Sequence, residues 1–356
     1  MNCKLYEDII NGHFVIIAEI GVNYYDIAKK ENISNLDAAK MMIDEAKKAG
    51  IDAVKFQTYK AETLAAKNSP AYWDMTEEKT PSQYELFKKF DSFGEDEYKI
   101  LFNYCKEKEI EFLSTPFDIE SADYLNEMMN IYKISSSDLN NIHFIEYIAK
   151  KNKPIILSVG ASNEDEIDRA LSIIKKYNNN KVVLMHCVLE YPTPYEHANL
   201  NKISSLKQKY SDCIIGYSDH TKPDINYDVI KTAYNLGATV IEKHYTLDKT
   251  LSGNDHYHAM DPVDASKIIE SIKQIEVLRG DGRIQCLDTE LKARENARRS
   301  LVAKTDIKAK EQFTESNLTY KRPGTGITAD QYYCVIGRVA KCDIKSDTVL
   351  TQDMIG

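Results

Sequence analysis

Short apolar runs alternate with amphipathic segments along the chain up to about residue 280. Residues 14–21 (FVIIAEIG) read as a buried strand, and 35–50 as an amphipathic helix closed by a glycine. Residues 52–58 predict a second strand, followed by a long insertion at 59–93. Further strands are expected at 110–117, 131–138, 153–160, 181–188, 213–221 and 239–246, separated by helical patterns that include 95–108, 164–177, about 201–210 and 227–237. A last helix is predicted at 262–279. Eight strands alternating with helices imply a parallel sheet covered by helices. Eight such units in about 270 residues point to an α/β fold closed into a (β/α)8 TIM barrel. No G-x-G-x-x-G turn follows the first strand, so the dinucleotide-binding alternative lacks its fingerprint.

The pattern changes near residue 297, where short, turn-bounded runs such as RSLVAK, YKRPGTG and VIGRVA begin. The expected division is a barrel over residues 1–280, a charged linker over 281–296 and a small, mostly β module over 297–356. The insertion at 59–93 carries the only tryptophan, Trp73, and its length marks it as a lid or binding loop.

Polar residues interrupt the apolar strands mainly in their C-terminal halves: Glu19, Lys55, Gln57, Ser114, Thr115, Lys133, residues 135–137, Ser158, His186, Ser218, His220, Glu242 and His244. Barrel active sites lie at that rim. In a strand, residues i and i+2 share a face, so Ser218 with His220 and Glu242 with His244 can each point one way together.

Two histidines at adjacent strand ends, with Glu242 and Asp219 beside them, form a candidate site for a divalent cation with open positions. A second candidate is Asp255, His256 and His258 in a loop, a poorer one because adjacent flexible positions are poorer ligands. Lys55 and Lys133 sit in strands that should be buried, where a lysine needs an anionic partner. With Thr115, Ser136, Ser158 and Ser218 they could hold a phosphate or carboxylate. The bland alternative pairs each lysine with Glu19 or Glu242. A Schiff-base role for Lys133 or Lys243 is another, although Lys243 alternates away from Glu242 and His244. His13, His143 and His197 read as surface residues, Cys187 as packing, and His186 as either packing or rim.

A net charge of −9 argues against nucleic acid as the main partner, and no apolar run approaches a membrane span. Seven scattered cysteines and an N-terminus without a signal-peptide core lead us to expect a cytoplasmic protein.

In combination, AEIGVN (18–23), AVKFQT (53–58), FLSTPFD (112–118), YKISS (132–136), PIILSVG (154–160), HCVLEYPTP (186–194), GYSDHT (216–221) and IEKHYTLD (241–248) resemble the sialic acid synthases. The tail with YKRPGTG resembles that family's C-terminal antifreeze-like (SAF) domain. The resemblance implies condensation of phosphoenolpyruvate with an N-acetylmannosamine-type sugar. Other acceptors it leaves open are a 2,4-diacetamido-trideoxy hexose, giving a legionaminic-type acid, and N-acetylmannosamine 6-phosphate. It further implies His220 and His244 as ligands of a divalent metal, Mn2+ before Mg2+ or Co2+. Lys55, Thr115, Lys133, Ser136, Ser158 and Ser218 would hold phosphoenolpyruvate, and Glu19 and Glu242 would flank the reacting centre. Gln57, Tyr191, Asp255 and Arg322 would meet the sugar, the arginine reaching across a domain-swapped homodimer. The chain departs from the family pattern at Tyr24, at Val188 and Leu189, at Asn254 and over residues 256–260, changes expected to face the acceptor. A non-catalytic carbohydrate-binding barrel is the alternative from another class.

Overall fold

The strands of the barrel are β1 (Val15–Gly21), β2 (Ala53–Thr58), β3 (Glu111–Pro116), β4 (Tyr132–Ile134), β5 (Ile155–Ser158), β6 (Val183–Cys187), β7 (Ile214–Asp219) and β8 (Val240–His244). They belong to a computed structural model that describes residues 3–73, 75–253 and 255–356. Two units are distinct, residues 1–278 and 279–356. All the ladder pairs in the first unit are parallel, and β8 joins β1 to carry the sheet round on itself. β3 and β4 lie side by side where the ring closes, without ladder bonds between them. There the Ser114 N–H of β3 donates instead to the Met129 sulfur, at 3.0 Å.

Period-two alternation sorts the strand residues. Ile16, Ala18, Val54, Phe56, Leu157 and Leu184 face outward and pack with the helices. Val15, Ile17, Ala53, Leu113, Ile156, Val183, Met185 and Val240 face inward and fill the lower barrel. Gly216 belongs to that inner layer, where a Cβ would sit 2.7 Å from the Val240 carbonyl oxygen. Leu5 and Ile9 of the helix Lys4–Ile10 close the bottom. That seven-residue helix is too short to leave a clear periodic signal, and the sequence reading missed it.

The helix Tyr24–Glu31, also not anticipated, follows β1. Its Tyr24 is buried and stacked on Phe93 at 4.3 Å, so this departure from the family pattern belongs to the core and not to an acceptor site. The insertion folds into the short helices Ala61–Leu64 and Gln83–Phe90, and packs Tyr59, Trp73, Leu86 and Phe90 against Val22.

The second unit pairs β9 (Ser300–Ala303) with β10 (Leu318–Lys321) antiparallel, and isolated bridges such as Val302 with Val349 extend it. Its own core includes Leu301, Phe313, Leu318 and Leu350. The stretch read as a linker contains the helix Leu291–Ala297. Among the described residues no helix is long and apolar enough to cross a membrane.

Candidate active site

One step above the apolar inner layer, the same inward positions become polar. Ile17 is followed by Glu19, Ala53 by Lys55 and Gln57, Leu113 by Thr115, Ile156 by Ser158, and Val240 by Glu242 and His244. One continuous cavity wall at the C-terminal end includes these residues together with Lys133, Ser136, Cys187, Leu189, Tyr191, Ser218 and His220. A wider hollow than this cavity lies at the opposite end of the barrel, between Lys4, Asp8, Lys47, Glu109 and Glu111. Among the described residues, the C-terminal cavity brings buried lysines, carboxylates and histidines together.

The alternation also removes residues from the site. Ser114 faces outward and shares a hydrogen bond with Thr58 at 2.6 Å. His186 faces outward too, stacked on Tyr217, and its Nε2–H donates to the Ala198 carbonyl at 2.7 Å. Burial pushes His186 down to about 4, so it is a neutral packing residue. Asp219, expected beside the cation site, points the other way and pairs with fully buried Lys243 at 2.6 Å. Lys243 is therefore a structural cation. Cys187, read as packing, lines the cavity.

Four buried charges interlock at the cavity floor. Lys55 pairs with Glu19, lies 3.6 Å from Glu242, and donates to Thr115 Oγ1 at 3.0 Å. Among the described residues, Glu242 is the one carboxylate within reach of Lys133, at 3.5 Å. Gln57 donates to Glu19 at 2.8 Å and Ser218 to Glu242 at 3.3 Å. Burial, reinforced by Glu242 and opposed by Lys55 and Gln57, pushes Glu19 up to about 7. Burial acts on Glu242 in the same sense, but Lys133 and then Lys55 outweigh it and hold that carboxylate below its usual value. Two neighbouring carboxylates are thus separated into one that can hold a proton near neutrality and one that stays ionised. Burial also pulls Lys133 below the usual lysine value, because Glu242 compensates it only in part. Glu242 Oε2 and the Ser158 hydroxyl have no hydrogen-bond partner among the described residues. An under-compensated cation beside unused hydroxyl donors is a seat for an anion.

On the other side stand the histidines. The His220 Nδ1–H donates to the Val188 carbonyl at 2.7 Å, which fixes the tautomer and leaves the Nε2 lone pair available. The His220 and His244 rings lie 5.5 Å apart between centroids. The loop read as a rival site is anchored by hydrogen bonds and is not separate. Met260 N–H donates to the His244 carbonyl at 2.8 Å, Thr246 N–H to Met260 at 3.0 Å, and Asn23 Nδ2 to the Asp255 carbonyl at 3.3 Å. His256 turns away to Thr246 Oγ1, at 2.8 Å, and Asp26. His258 turns inward, with its ring 4.9 Å from that of His244. One ligand atom each from His244, Asp255 and His258 falls within 4.8 Å of the others. Burial, and then neighbouring imidazoles, holds His244 and His258 well below the usual histidine value, so both are neutral. Burial raises Asp255 to about 6. His244 Nδ1 and both nitrogens of His258 lack hydrogen-bond partners among the described residues. Each such orphan costs about 1–3 kcal/mol unless something satisfies it. Neutral imidazoles, a carboxylate and unsatisfied nitrogens fit a divalent cation of the manganese, cobalt or zinc type.

A second hollow opens beside the first and shares Gln57, Tyr191 and His244 with it. Tyr59, Tyr72, Trp73, Leu86, Phe87 and Phe90 of the insertion form its wall, with Val22, Asn23, Asp26, Asp255 and His256 opposite. None of its described lining residues is a lysine or arginine. Leu189 stands in the wall of the first cavity and Val188 orients His220 through its backbone, while Asn254 lies outside the described residues. Arg322 is exposed just after β10 in the second unit.

The structure therefore gathers Glu19, Lys55, Gln57, Thr115, Lys133, Ser136, Ser158, Tyr191, Ser218, His220, Glu242 and His244 into one cavity. Asp255 joins it through His244. His258 is the residue that sequence reasoning placed in a competing site.

Comparison with known proteins identifies the family. Residues 42–284 match the NeuB family model and residues 298–356 the SAF domain. N,N'-diacetyllegionaminic acid synthase of Campylobacter jejuni is 40% identical over 95% of this chain and 99% of its own. The enzyme of that name from Legionella pneumophila is 34% identical, over 96% of this chain and 94% of its own. The crystal structure of an N-acetylneuraminic acid synthetase from Leptospira borgpetersenii superposes with a TM-score of 0.67 at 34% identity, covering 79% of this chain and 90% of that one. The chain belongs to the NeuB family, the sialic acid synthases that its sequence resembles, and ends in a SAF domain.

Proposed function

We propose that the protein condenses phosphoenolpyruvate with a 2,4-diacetamido-trideoxy hexose, forming a legionaminic-type nonulosonic acid and phosphate. As a NeuB-family member the chain is a phosphoenolpyruvate-dependent condensing enzyme. The acceptor is the finer step, and one observation carries it. The hollow beside the anion seat has a wall of six apolar and aromatic side chains, and no cation among its described lining residues. Methyl and acetamido groups suit such a wall, whereas a sugar phosphate would face Asp26 and Asp255 without countercharge. The name of the Campylobacter relative points the same way. N-Acetylmannosamine, the first expectation from the sequence, takes second place because its extra hydroxyls gain less from this wall.

In this reading Lys55 and Lys133 hold the carboxylate and phosphate of phosphoenolpyruvate, with Thr115, Ser136, Ser158 and Ser218 as further donors. Gln57, Tyr191 and Asp255 orient the open-chain sugar so that its aldehyde carbon faces the methylene carbon of phosphoenolpyruvate. His220 and His244 would hold a divalent cation, which would supply Lewis-acid polarisation for the aldehyde. Carbon–carbon bond formation leaves positive character at the phosphate-bearing carbon, next to ionised Glu242. Water adds there and phosphate leaves by carbon–oxygen cleavage. Glu19, poised near 7, accepts the proton of that water. We place the reaction in the cytoplasm, a setting that suits the seven free thiols.

The test is phosphate release from phosphoenolpyruvate with manganese across a panel of acceptors. The trideoxy diacetamido sugar should give the highest kcat/KM. A higher value with N-acetylmannosamine or its 6-phosphate would overturn the choice of acceptor, and no release with any sugar would overturn the reaction. The role of Arg322 in the partner's sugar site of a swapped homodimer rests on the sequence resemblance. Mixing inactive His244→Ala and Arg322→Ala proteins should restore activity once subunits exchange. Exchange without recovery would refute it.

A further inference from the structure

His258 has the features of a ligand without a hydrogen-bonded role of its own. It is fully buried, and neither ring nitrogen has a hydrogen-bond partner among the described residues. A neutral imidazole carries one donor and one acceptor, so neither capacity is met by a described residue in this buried pocket. The ring sits 4.9 Å from His244 and 6.3 Å from His220 between centroids. Its ligand nitrogen shares the 4.8 Å cluster with His244 and Asp255. The placement is held by neighbouring backbone groups: Tyr257 OH donates to the Tyr191 carbonyl at 3.0 Å, and the backbone of Met260 is clipped to His244 and Thr246. The two residues before His258 are accounted for, His256 by Thr246 and Asp26, and Tyr257 by Tyr191.

We infer that His258 is a third imidazole ligand of the divalent cation that His220 and His244 hold, with the Asp255 carboxylate beside it. The inference rests on the metal-dependent reading of this site and deepens it. Three imidazoles and one carboxylate make a donor set that favours cobalt, zinc or manganese over magnesium, which prefers oxygen ligands. Four such donors would leave fewer positions for substrate oxygens than two histidines alone.

The experiment uses the full-length protein, stripped with a chelator and then given Mn2+ or Co2+ alone, without substrates. Free Mn2+ is read by electron paramagnetic resonance, and bound Co2+ by its visible absorption. His258→Gln should weaken Mn2+ binding at least tenfold and alter the Co2+ spectrum, since loss of even an outer partner of a metal ligand costs 10–100-fold in affinity. Mn2+ affinity within twofold of the wild type, with an unchanged Co2+ spectrum, would overturn the inference and leave the two-histidine site standing. No uptake by the wild-type protein would overturn both. Phosphoenolpyruvate binding without metal, kept within twofold in His258→Gln, shows that the cavity is still folded. If that control fails, His258→Ala decides the matter. Imidazole added to the buffer should restore its Mn2+ binding, and a lack of rescue counts against the inference.

Discussion

Removing Lys55 or Lys133 should weaken phosphoenolpyruvate binding alike but affect stability very differently. In each case methionine replaces the lysine, keeping the length of the stem and deleting the charge. A hydrogen bond to a charged group contributes about 1.5–3 kcal/mol, so either variant should bind phosphoenolpyruvate roughly 10–150-fold more weakly. Stability separates them because the two carboxylates are not equally served. Lys55 is the only lysine that touches Glu19 among the described residues, whereas Glu242 lies within 3.6 Å of Lys55 and 3.5 Å of Lys133. Lys55→Met leaves Glu19 buried with no cation and a second carboxylate nearby, a loss of about 3–5 kcal/mol for a broken buried pair. Lys133→Met leaves Glu242 with Lys55, and it relieves a lysine whose burial outweighs its attraction to Glu242. Those two terms oppose each other, and the net change should stay within about 1 kcal/mol. Calorimetric titration reads the affinity, and scanning calorimetry of the ligand-free protein reads the stability. Lys55→Met should melt lower by something on the order of 10 °C, and Lys133→Met within about 3 °C of the wild type. Equal losses of stability, or unchanged affinity in both variants, would refute the reasoning.

Four further outcomes are expected. His186 is neutral in the folded chain down to about 4, against 6.5 unfolded, so the unfolded state takes up the extra proton as pH falls. The wild type should lose about 3 kcal/mol between pH 6.5 and 4 from this group, and denaturant midpoints of His186→Gln should show a shallower decline. The kcat/KM profile for phosphate release should carry a limb near 7 that disappears in Glu19→Gln; the same limb in the variant would exclude Glu19 as its source. Borohydride should trap no adduct with phosphoenolpyruvate or sugar, and Lys243→Met should destabilise by about 3–5 kcal/mol while any folded fraction binds phosphoenolpyruvate normally, because its charge serves Asp219 outside the cavity.

Much of the barrel was legible because its signals are local. Strand and helix periods differ, and the apolar runs end close to where the strands end: 14–21 against Val15–Gly21, and 239–246 against Val240–His244. The inward file of polar residues could also be read in part. Lys55 stood out as a lysine in a strand that should be buried, and Glu242 shares a face with His244 two places on. The weakest boundary was 131–138, where only Tyr132–Ile134 forms a strand and residues 136–138 turn into a 3-10 helix. β4 meets β3 without ladder bonds, so there is little to extend it.

The sequence by itself determined the eight-fold alternation, the change of texture before the SAF domain, and the file of polar residues at the rim. Tertiary structure decided which rim residues actually face the cavity. It turned Ser114, His186 and Asp219 outward, because each is one place out of phase with the inward file. It also merged two histidine groups that are remote along the chain. His258 reaches His244 because the loop's backbone is bonded to β8 and its neighbours, through Met260, Tyr257 and Asn23. Such anchoring depends on partners up to 232 residues away in the chain. Periodicity is written within a few residues and can be read directly, whereas convergence of loop side chains exists only once those distant backbone groups have paired.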